Sequence, residues 1–151
     1  MIIRFAAKKD KKQVLQLIAE LMNNAYKMTG KPLISTKDLP QDIFEKLVKR
    51  GDVKIFVAEE NDKLVGLATL YIIPIMRRTK PRGELEELVV TEDKRGQGIG
   101  RKLFEKVLQF CKENNVYSLK LSSYLELTKA HSFYEKLGGK TIERTFRFDI
   151  P

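Results

Sequence analysis

The stretch VKIFVAEENDKLVGLATLYII, residues 53–73, constrains the fold of this chain more than any other segment. Two runs rich in β-branched and other apolar residues flank the polar tetrapeptide ENDK, residues 60–63. Runs of this kind around a short turn are typical of a β-hairpin. We therefore predict a hairpin here, to which flanking segments add further strands and helices.

Two helices are predicted between a first strand, residues 2–5, and this hairpin. Asp10 is the predicted cap of the first helix. That helix carries apolar residues at helical spacing, namely Val14, Leu17, Ile18 and Leu21. Asp38 is the predicted cap of the second helix, with Pro40 in its first turn.

Strands and helices alternate after the hairpin. We predict a strand at 84–91, a long helix beginning in GQGIG, a strand at 117–122, a helix at 126–139 ended by Gly138 or Gly139, and a last strand at 140–150. This order predicts an α/β (α+β) fold in one domain, 1–151. Its mixed, mostly antiparallel sheet would have six to seven strands with helices on both faces. The strands at 84–91 and 117–122 are expected to be parallel neighbours.

Composition narrows the function classes. The chain has 29 basic and 20 acidic residues and a net charge of +9, which favours anionic ligands, although a solvated lysine-rich surface gives the same number. No apolar run approaches the roughly 18–20 residues that span a bilayer. The single cysteine, Cys111, suits a reducing compartment, so we expect a cytoplasmic protein. The single histidine, His131, argues against a histidine-rich metal site, and no metal is expected.

The glycines of GQGIG, residues 96–100, raise the question of a phosphate site. A Walker A loop needs G-x-x-x-x-G-K-S/T, and a dinucleotide loop needs G-x-G-x-x-G. Neither pattern fits, because Arg101 and Lys102 follow Gly100 and position 101 is not glycine. Unpaired amides at a helix start nevertheless favour an anion. Close packing of the helix on a strand is the alternative reason for the glycines.

Three segments together resemble the GCN5-related N-acetyltransferases, a superfamily that moves an acetyl group from acetyl-CoA to an amine. Arg95, Gly98 and Gly100 match its Arg/Gln-x-x-Gly-x-Gly/Ala pattern, and Leu88 and Val90 match the L-x-V before it. AHSFYEKLGG, residues 130–139, resembles its A-x-x-F-Y signature, and residues 51–70 look like its central hairpin. Two positions depart from the family: Leu127 replaces a common asparagine, and Gly139 replaces a phenylalanine.

The resemblance implies where acetyl-CoA binds. The sheet would splay between the strands at 84–91 and 117–122, and the pantetheine arm would pair there with Leu88 and Val90. The pyrophosphate would lie on the amides of the loop and helix start, which are Arg95, Gly96, Gln97, Gly98, Ile99, Gly100 and Arg101. A backbone amide of Val89 or Val90 would stabilise the developing oxyanion.

The resemblance also suggests catalytic residues. Tyr134 matches the tyrosine that protonates the leaving thiolate, and Glu86 matches a position where a glutamate often deprotonates the amine. Strict alternation along the strand puts Glu84, Glu86, Leu88 and Val90 on one face and Glu87 on the other. Glu84 is therefore the second candidate for the base.

Several alternatives stay open at this point. The acceptor is a small molecule or a protein amine, and the acids at residues 84–87 favour a cationic one. A non-catalytic, basic nucleic-acid-binding or regulatory module is the competing function, supported by the charge and by RRTKPR, residues 77–82. Its basic residues are otherwise dispersed, so nucleic acid is not the expected partner. A homodimer through the last strand is possible.

Overall fold

The computed structural model describes residues 1–151 and contains five strands and four helices. The strands are β1 (Ile2–Phe5), β2 (Val53–Glu60), β3 (Lys63–Ile73), β4 (Arg82–Val90) and β5 (Leu119–Leu121). The helices are α1 (Lys11–Thr29), α2 (Ile43–Val48), α3 (Ile99–Glu113) and α4 (Thr128–Lys136). The chain divides into two units, Met1–Lys120 and Leu121–Pro151, which are described separately.

The predicted hairpin is confirmed and forms the middle of the sheet. The strands lie in the order β1-β2-β3-β4-β5, and β1 to β4 are antiparallel. Asn61 and Asp62 connect β2 to β3 with φ of 50° and 61°. Positive φ at both central residues is the signature of a type I′ turn, whose twist matches that of the two strands.

Helices cover both faces of this sheet, as predicted. Val14 and Leu17 of α1 and Phe44 of α2 pack with Leu67 and Val89 in one apolar cluster. On the neighbouring residue Gly66, a Cβ would lie 2.8 Å from Leu103 of α3. Because successive strand residues point to opposite faces, α3 lies on the face opposite to α1 and α2.

The segment that enters β5 pairs with the start of β4. Tyr117 N–H donates to Pro81 O at 3.0 Å, and Gly83 N–H donates to Ser118 O at 2.9 Å. Residue numbers increase together on the two segments, as in parallel neighbours. The predicted crossover through α3 is therefore correct.

Asp10 stands at the predicted N-cap position of α1 without capping it through its side chain, and the predicted cap of α2 at Asp38 was wrong. Asp10 makes no cap bond to α1; its buried carboxylate accepts from Ala7 N–H at 2.7 Å and from both terminal nitrogens of Arg4. The hydrogen bond from Arg4 lowers the pKa of Asp10. Asp38 accepts from Ser35 N–H in a separate turn, and α2 begins only at Ile43. In both places the carboxylate accepts a hydrogen bond within a short turn before the helix.

The second unit contains α4, which ends in a Schellman motif. Gly138 has φ of 89° and donates to Glu135 O, while Gly139 N–H donates to Tyr134 O, both at 2.9 Å. Of the two glycines predicted to end this helix, Gly138 is therefore the left-handed one. A Cβ at Gly139 would lie 2.9 Å from Tyr134 O.

The predicted last strand is absent, which corrects the strand count from six or seven to five. Residues 140–150 form neither helix nor strand. Their apolar side chains are exposed: Ile142, Phe146, Phe148 and Ile150. Alternation alone does not make a strand, because its backbone groups need a neighbouring strand. The homodimer suggested by this segment stays a prediction.

None of the four helices combines the length and apolar character needed to cross a bilayer.

Candidate active site

The loop between β4 and α3 presents backbone amides at the start of the helix. A 3-10 turn, Glu92–Lys94, comes first, and Arg95 N–H donates back to Glu92 O at 3.3 Å. The first bond of α3 runs from Lys102 N–H to Gly98 O. The amides of residues 99–101 therefore have no acceptor within the helix. The amide of Arg95, predicted to bind phosphate, is used inside the loop instead.

Gly96 and Gly98 are glycines because of the backbone conformation. Their φ values are 78° and 79°, which side-chain-bearing residues rarely adopt. A Cβ at either position would meet no atom within 4 Å. Close packing does not explain these two glycines, and the space beside them is open to a ligand.

The two arginines of the loop are both paired with acids. Arg95 donates through Nε to Val90 O and through Nη2 to Glu20, each at 3.0 Å. Glu20 also accepts from Glu92 N–H at 2.9 Å. Arg101 pairs with Glu105 one helical turn away at 2.8 Å. Arg95 therefore orders the loop, and Arg101 stays on the exposed surface of α3.

Leu88 and Val90 turn their backbone polar groups away from β3. Thr91 N–H donates to Val65 O at 3.0 Å. Hydrogen-bonded and non-bonded pairs alternate along an antiparallel ladder. Val89 therefore bonds to β3 like Thr91, whereas the N–H and C=O groups of Leu88 and Val90 lie along the opposite edge of β4. These are the two residues predicted to pair with a ligand.

A β-bulge in β4 overturns the predicted faces of the carboxylates. Thr69 pairs with Glu87, but the next residue, Leu70, pairs with Leu85, so Glu86 is the extra residue. Tyr71 then pairs with Glu84. Thr69 and Tyr71 share a face of β3, so Glu84 and Glu87 lie together on the face of β4 opposite to Leu88. Strict alternation had separated them.

The three carboxylates of β4 differ in their surroundings. Glu84 accepts from Arg82 Nη2 at 2.9 Å, and Glu86 is exposed. Glu87 is half-buried, and burial raises its pKa, opposed by a hydrogen bond from Thr69 and supported by the charge of Glu86. Glu87 Oε2 is a buried atom without a hydrogen-bond partner. Sequence reasoning did not single out Glu87, because the bulge is not visible in the sequence.

Tyr134 lies in α4 of the second unit. Burial raises the pKa of its phenol, so the hydroxyl keeps its proton at neutral pH. The ring of Phe133 stands edge-on to it, with centroids 5.2 Å apart. His131 lies on the same helix and is half-buried; its Nε2 is 2.9 Å from Tyr124 O.

Cys111 and the loop at 77–82 fall outside these groups. Cys111 is buried on α3, and burial raises the pKa of its thiol, as expected for a core residue rather than a nucleophile. In the loop, Arg78 stacks over the ring of Tyr117 at 5.1 Å and Arg82 pairs with Glu84. Part of the basic cluster is thus engaged within the chain.

The sequence profile of the acetyltransferase (GNAT) family matches residues 15–139. The chain belongs to this family. It is similar to N-alpha-acetyltransferase 30 of Schizosaccharomyces pombe, 33% identical over 93 residues, which are 62% of this chain and 61% of that protein. It is equally similar to glucosamine 6-phosphate N-acetyltransferase of Trypanosoma brucei brucei, 33% identical over 98 residues, 64% of this chain and 65% of the relative. The chain thus spans less than two thirds of either relative.

Solved structures have the same fold, among them a putative acetyltransferase from Agrobacterium tumefaciens, with a TM-score of 0.84 and 27% identity, covering 99% of this chain and 100% of that one. A tetramutant of the BH1408 protein from Bacillus halodurans superposes with a TM-score of 0.84 and is 26% identical, covering 99% of this chain and 100% of that one. The five-stranded, mostly antiparallel sheet with helices on both faces is therefore the fold of this family.

The first unit fits acetyl-CoA, the donor of the GNAT family. The amides of residues 99–101 and the open space beside Gly96 and Gly98 suit a pyrophosphate. The hydroxyls of Thr91 and Ser118 are buried without a partner in the structure. A buried hydroxyl of this kind favours a bound donor or acceptor, and a pantetheine arm carries both.

Proposed function

We propose that this protein transfers the acetyl group of acetyl-CoA to a primary amine by direct transfer within a ternary complex. One observation carries the proposal: β4 ends in a loop whose left-handed glycines open the start of α3, beside a strand edge carrying the backbone groups of Leu88 and Val90. Bound there, acetyl-CoA supplies a thioester carbonyl for attack by the amine.

Different residues of this chain would bind acetyl-CoA and stabilise the developing charge. The amides of residues 96–101 hold the pyrophosphate. Leu88 and Val90 hold the pantetheine arm, and the N–H of Val90 or Leu88 stabilises the charge that develops on the carbonyl oxygen. The N–H of Val89 is directed to β3, which leaves Val90 as the better of the two amides named from the sequence.

Proton transfer completes the proposed reaction. Tyr134 donates its phenolic proton to the departing sulfur; burial raises the pKa of this phenol, so the hydroxyl holds its proton until the thiolate forms. A carboxylate of β4 receives the proton of the amine. From the sequence, Glu86 is the first candidate and Glu84 the second.

The acceptor is proposed to be a cationic primary amine. Glu84, Glu86 and Glu87 give this part of β4 a negative potential, and ammonium groups are attracted to such sites. The relatives supply first probes: glucosamine 6-phosphate and a peptide with a free α-amino group. Spermidine represents the polyamines.

Two measurements test this function. A ligand at 100 times its Kd stabilises the folded state by about 2.7 kcal/mol. For a chain of this size, saturating acetyl-CoA should therefore raise the melting temperature by roughly 5–10 °C. Release of free CoA thiol with each probe amine then measures transfer. Absence of any shift with acetyl-CoA or CoA would reject the proposal, and salt-dependent RNA or DNA binding without turnover would favour the nucleic-acid module instead.

A further inference from the structure

The bulge in β4 places one carboxylate differently from its neighbours. Because Glu86 is the extra residue, Glu87 lies opposite Thr69 on the face that α1 and α2 cover. It is also the residue before Leu88, whose backbone groups lie along the edge of β4 where the thioester is proposed to bind. Glu87 is thus adjacent in sequence to the proposed reaction centre, and its side chain is half-buried on that face of the sheet.

Glu87 has one carboxylate oxygen without a partner. Its Oε2 is buried and accepts no hydrogen bond. Leaving a buried acceptor unsatisfied is unfavourable, and more so for a charged group. An arriving ammonium group would supply both the missing donor and the missing counter-charge. The unpartnered oxygen is therefore an acceptor suited to an amine ligand.

The other two carboxylates of β4 lack this combination. Glu84 accepts a hydrogen bond from Arg82 Nη2 at 2.9 Å, so a counter-charge already partners its carboxylate. Glu86 is exposed, so water satisfies its carboxylate without a ligand.

The charged and polar groups around Glu87 support its role. Glu86 on β4 raises its pKa, and Thr69 on β3 lowers it through a hydrogen bond, while burial has the largest effect and raises it. On β3, burial raises the pKa of Tyr71 most, and the charges of Glu87 and Glu86 raise it further. Tyr71 is therefore close to both carboxylates. On the helices, Glu20 of α1 is already bound to Arg95 and Glu92.

We propose that Glu87 is the general base of the acetyl transfer, its unpartnered Oε2 receiving a proton from the ammonium of the acceptor. This inference rests on the function proposed above. The freed nitrogen lone pair forms the C–N bond to the acetyl carbon as the C–S bond breaks. The sulfur takes the proton of Tyr134, and the second proton lost by the nitrogen restores the phenol. Glu87 releases its proton to solvent, so one proton is produced per turnover.

The test compares four variants with the wild type: E87Q, E87D, E86Q and E84Q. kcat and kcat/KM are measured from pH 5 to 9.5 with acetyl-CoA and whichever of the three probe amines turns over fastest. General bases contribute about 100-fold or more, so E87Q should lose about that factor in kcat. The KM for acetyl-CoA should stay within about threefold, since no donor contact is lost. E87D should recover part of the rate, and E84Q should lose less than E87Q because Arg82 already partners Glu84.

The pH profile separates a base from a merely structural residue. The acidic limb of kcat/KM should disappear in E87Q. In E86Q it should move to lower pH, because removing a neighbouring negative charge lowers the pKa of Glu87. Circular dichroism melting checks that each variant is folded. An E87Q enzyme that keeps its rate and its acidic limb would overturn the inference, as would loss of the limb in E86Q instead.

A measurement without turnover keeps the inference separate from the proposed function. Carbon-13 NMR of glutamate-labelled protein, assigned with E87Q, should show the carboxyl of Glu87 titrating above ordinary glutamates. A Glu87 carboxyl that titrates with the others would reject its role as base, whatever the acceptor. Binding of acetyl-CoA with an ordinary Glu87 titration would leave the acetyltransferase proposal intact and remove this inference alone. Failure of acetyl-CoA to bind would remove both.

Discussion

β4 and the loop that follows it interact with charged groups in different ways. At its C-terminal end, the loop acts through backbone: Gly96 and Gly98 remove side chains, and the arginines nearby are already paired with acids. Within the strand, side chains carry the charge, and Glu87, the sixth of its nine residues, keeps a buried oxygen unpaired. A site for a fixed ligand, the donor, can be built from backbone amides, whereas proton transfer needs a group whose protonation state can change.

The largest effect is expected from Tyr134→Phe, which removes a proton donor and little packing. If Tyr134 is the acid, kcat should fall about 100-fold, while the KM for acetyl-CoA changes little. Steady-state kinetics with the fastest probe amine measures both. Tyr124→Phe, an exposed tyrosine of the same unit, is the matched control and should leave kcat unchanged. Equal rates for the two variants would contradict the acid role.

The backbone end of β4 is tested by Gly98→Val. The substitution strains a residue with φ of 79° and puts a side chain into the space beside the helix start. Loss of two hydrogen bonds to a charged phosphate should raise the Kd for acetyl-CoA about 50-fold or more. Calorimetric titration measures this.

Gly30→Val is the control for Gly98→Val. Gly30 ends α1 with φ of 69° and also has open space around its Cβ position. It carries the same backbone strain far from the loop, so it should lower the melting temperature without changing the Kd. A similar loss of affinity in both variants would mean that strain alone explains the effect.

A smaller effect is expected from Glu84→Gln. The substitution breaks the ion pair with Arg82 but leaves Glu87 unchanged. Partly exposed ion pairs are worth about 1 kcal/mol or less, so kcat should change by less than about threefold. Steady-state measurement of kcat for E84Q and E87Q under the same conditions tests whether the carboxylates of β4 are interchangeable. A large loss of kcat in E84Q would show that its ion pair with Arg82 matters to the reaction.

The smallest effect concerns stability. Folding raises the pKa of Glu87, so its ionised form costs folding free energy. That cost is absent below the ordinary glutamate pKa and grows as pH rises through the folded pKa. Glu87→Gln should therefore melt above the wild type at pH 7.5, and the difference should shrink at pH 4. A constant difference between the two pH values would exclude ionisation as the cause.

Local pattern was enough to predict most of the fold. The hairpin, the crossover through α3 and the helices on both faces follow from apolar periodicity and from the Asn61-Asp62 turn. The anion site at the loop glycines also follows from local sequence. A left-handed backbone requires glycine at such positions wherever the rest of the chain lies.

Features that depend on partners distant in the sequence were not predictable. Asp10 looked like a cap but is taken by Arg4, and the segment 140–150 alternates without forming a strand. The bulge at Glu86 depends on the pairing register of β3 with β4. It places Glu84 on the same face as Glu87. The roles of Tyr134, Glu86 and Glu84 stay predictions, as does a single domain.

The position of the loop amides also depends on Gly66, a residue of β3 that lies outside the loop. A single methyl group at this residue of β3 would lie 2.8 Å from Leu103 of α3 and 3.1 Å from the carbonyl oxygen of Val89. Leu103 is fully buried, so it has little room to move aside. A larger residue would have to displace the end of the Leu103 side chain and would crowd the carbonyl of Val89, which disturbs the packing of α3 on the sheet. We therefore expect packing alone to restrict variation at residue 66.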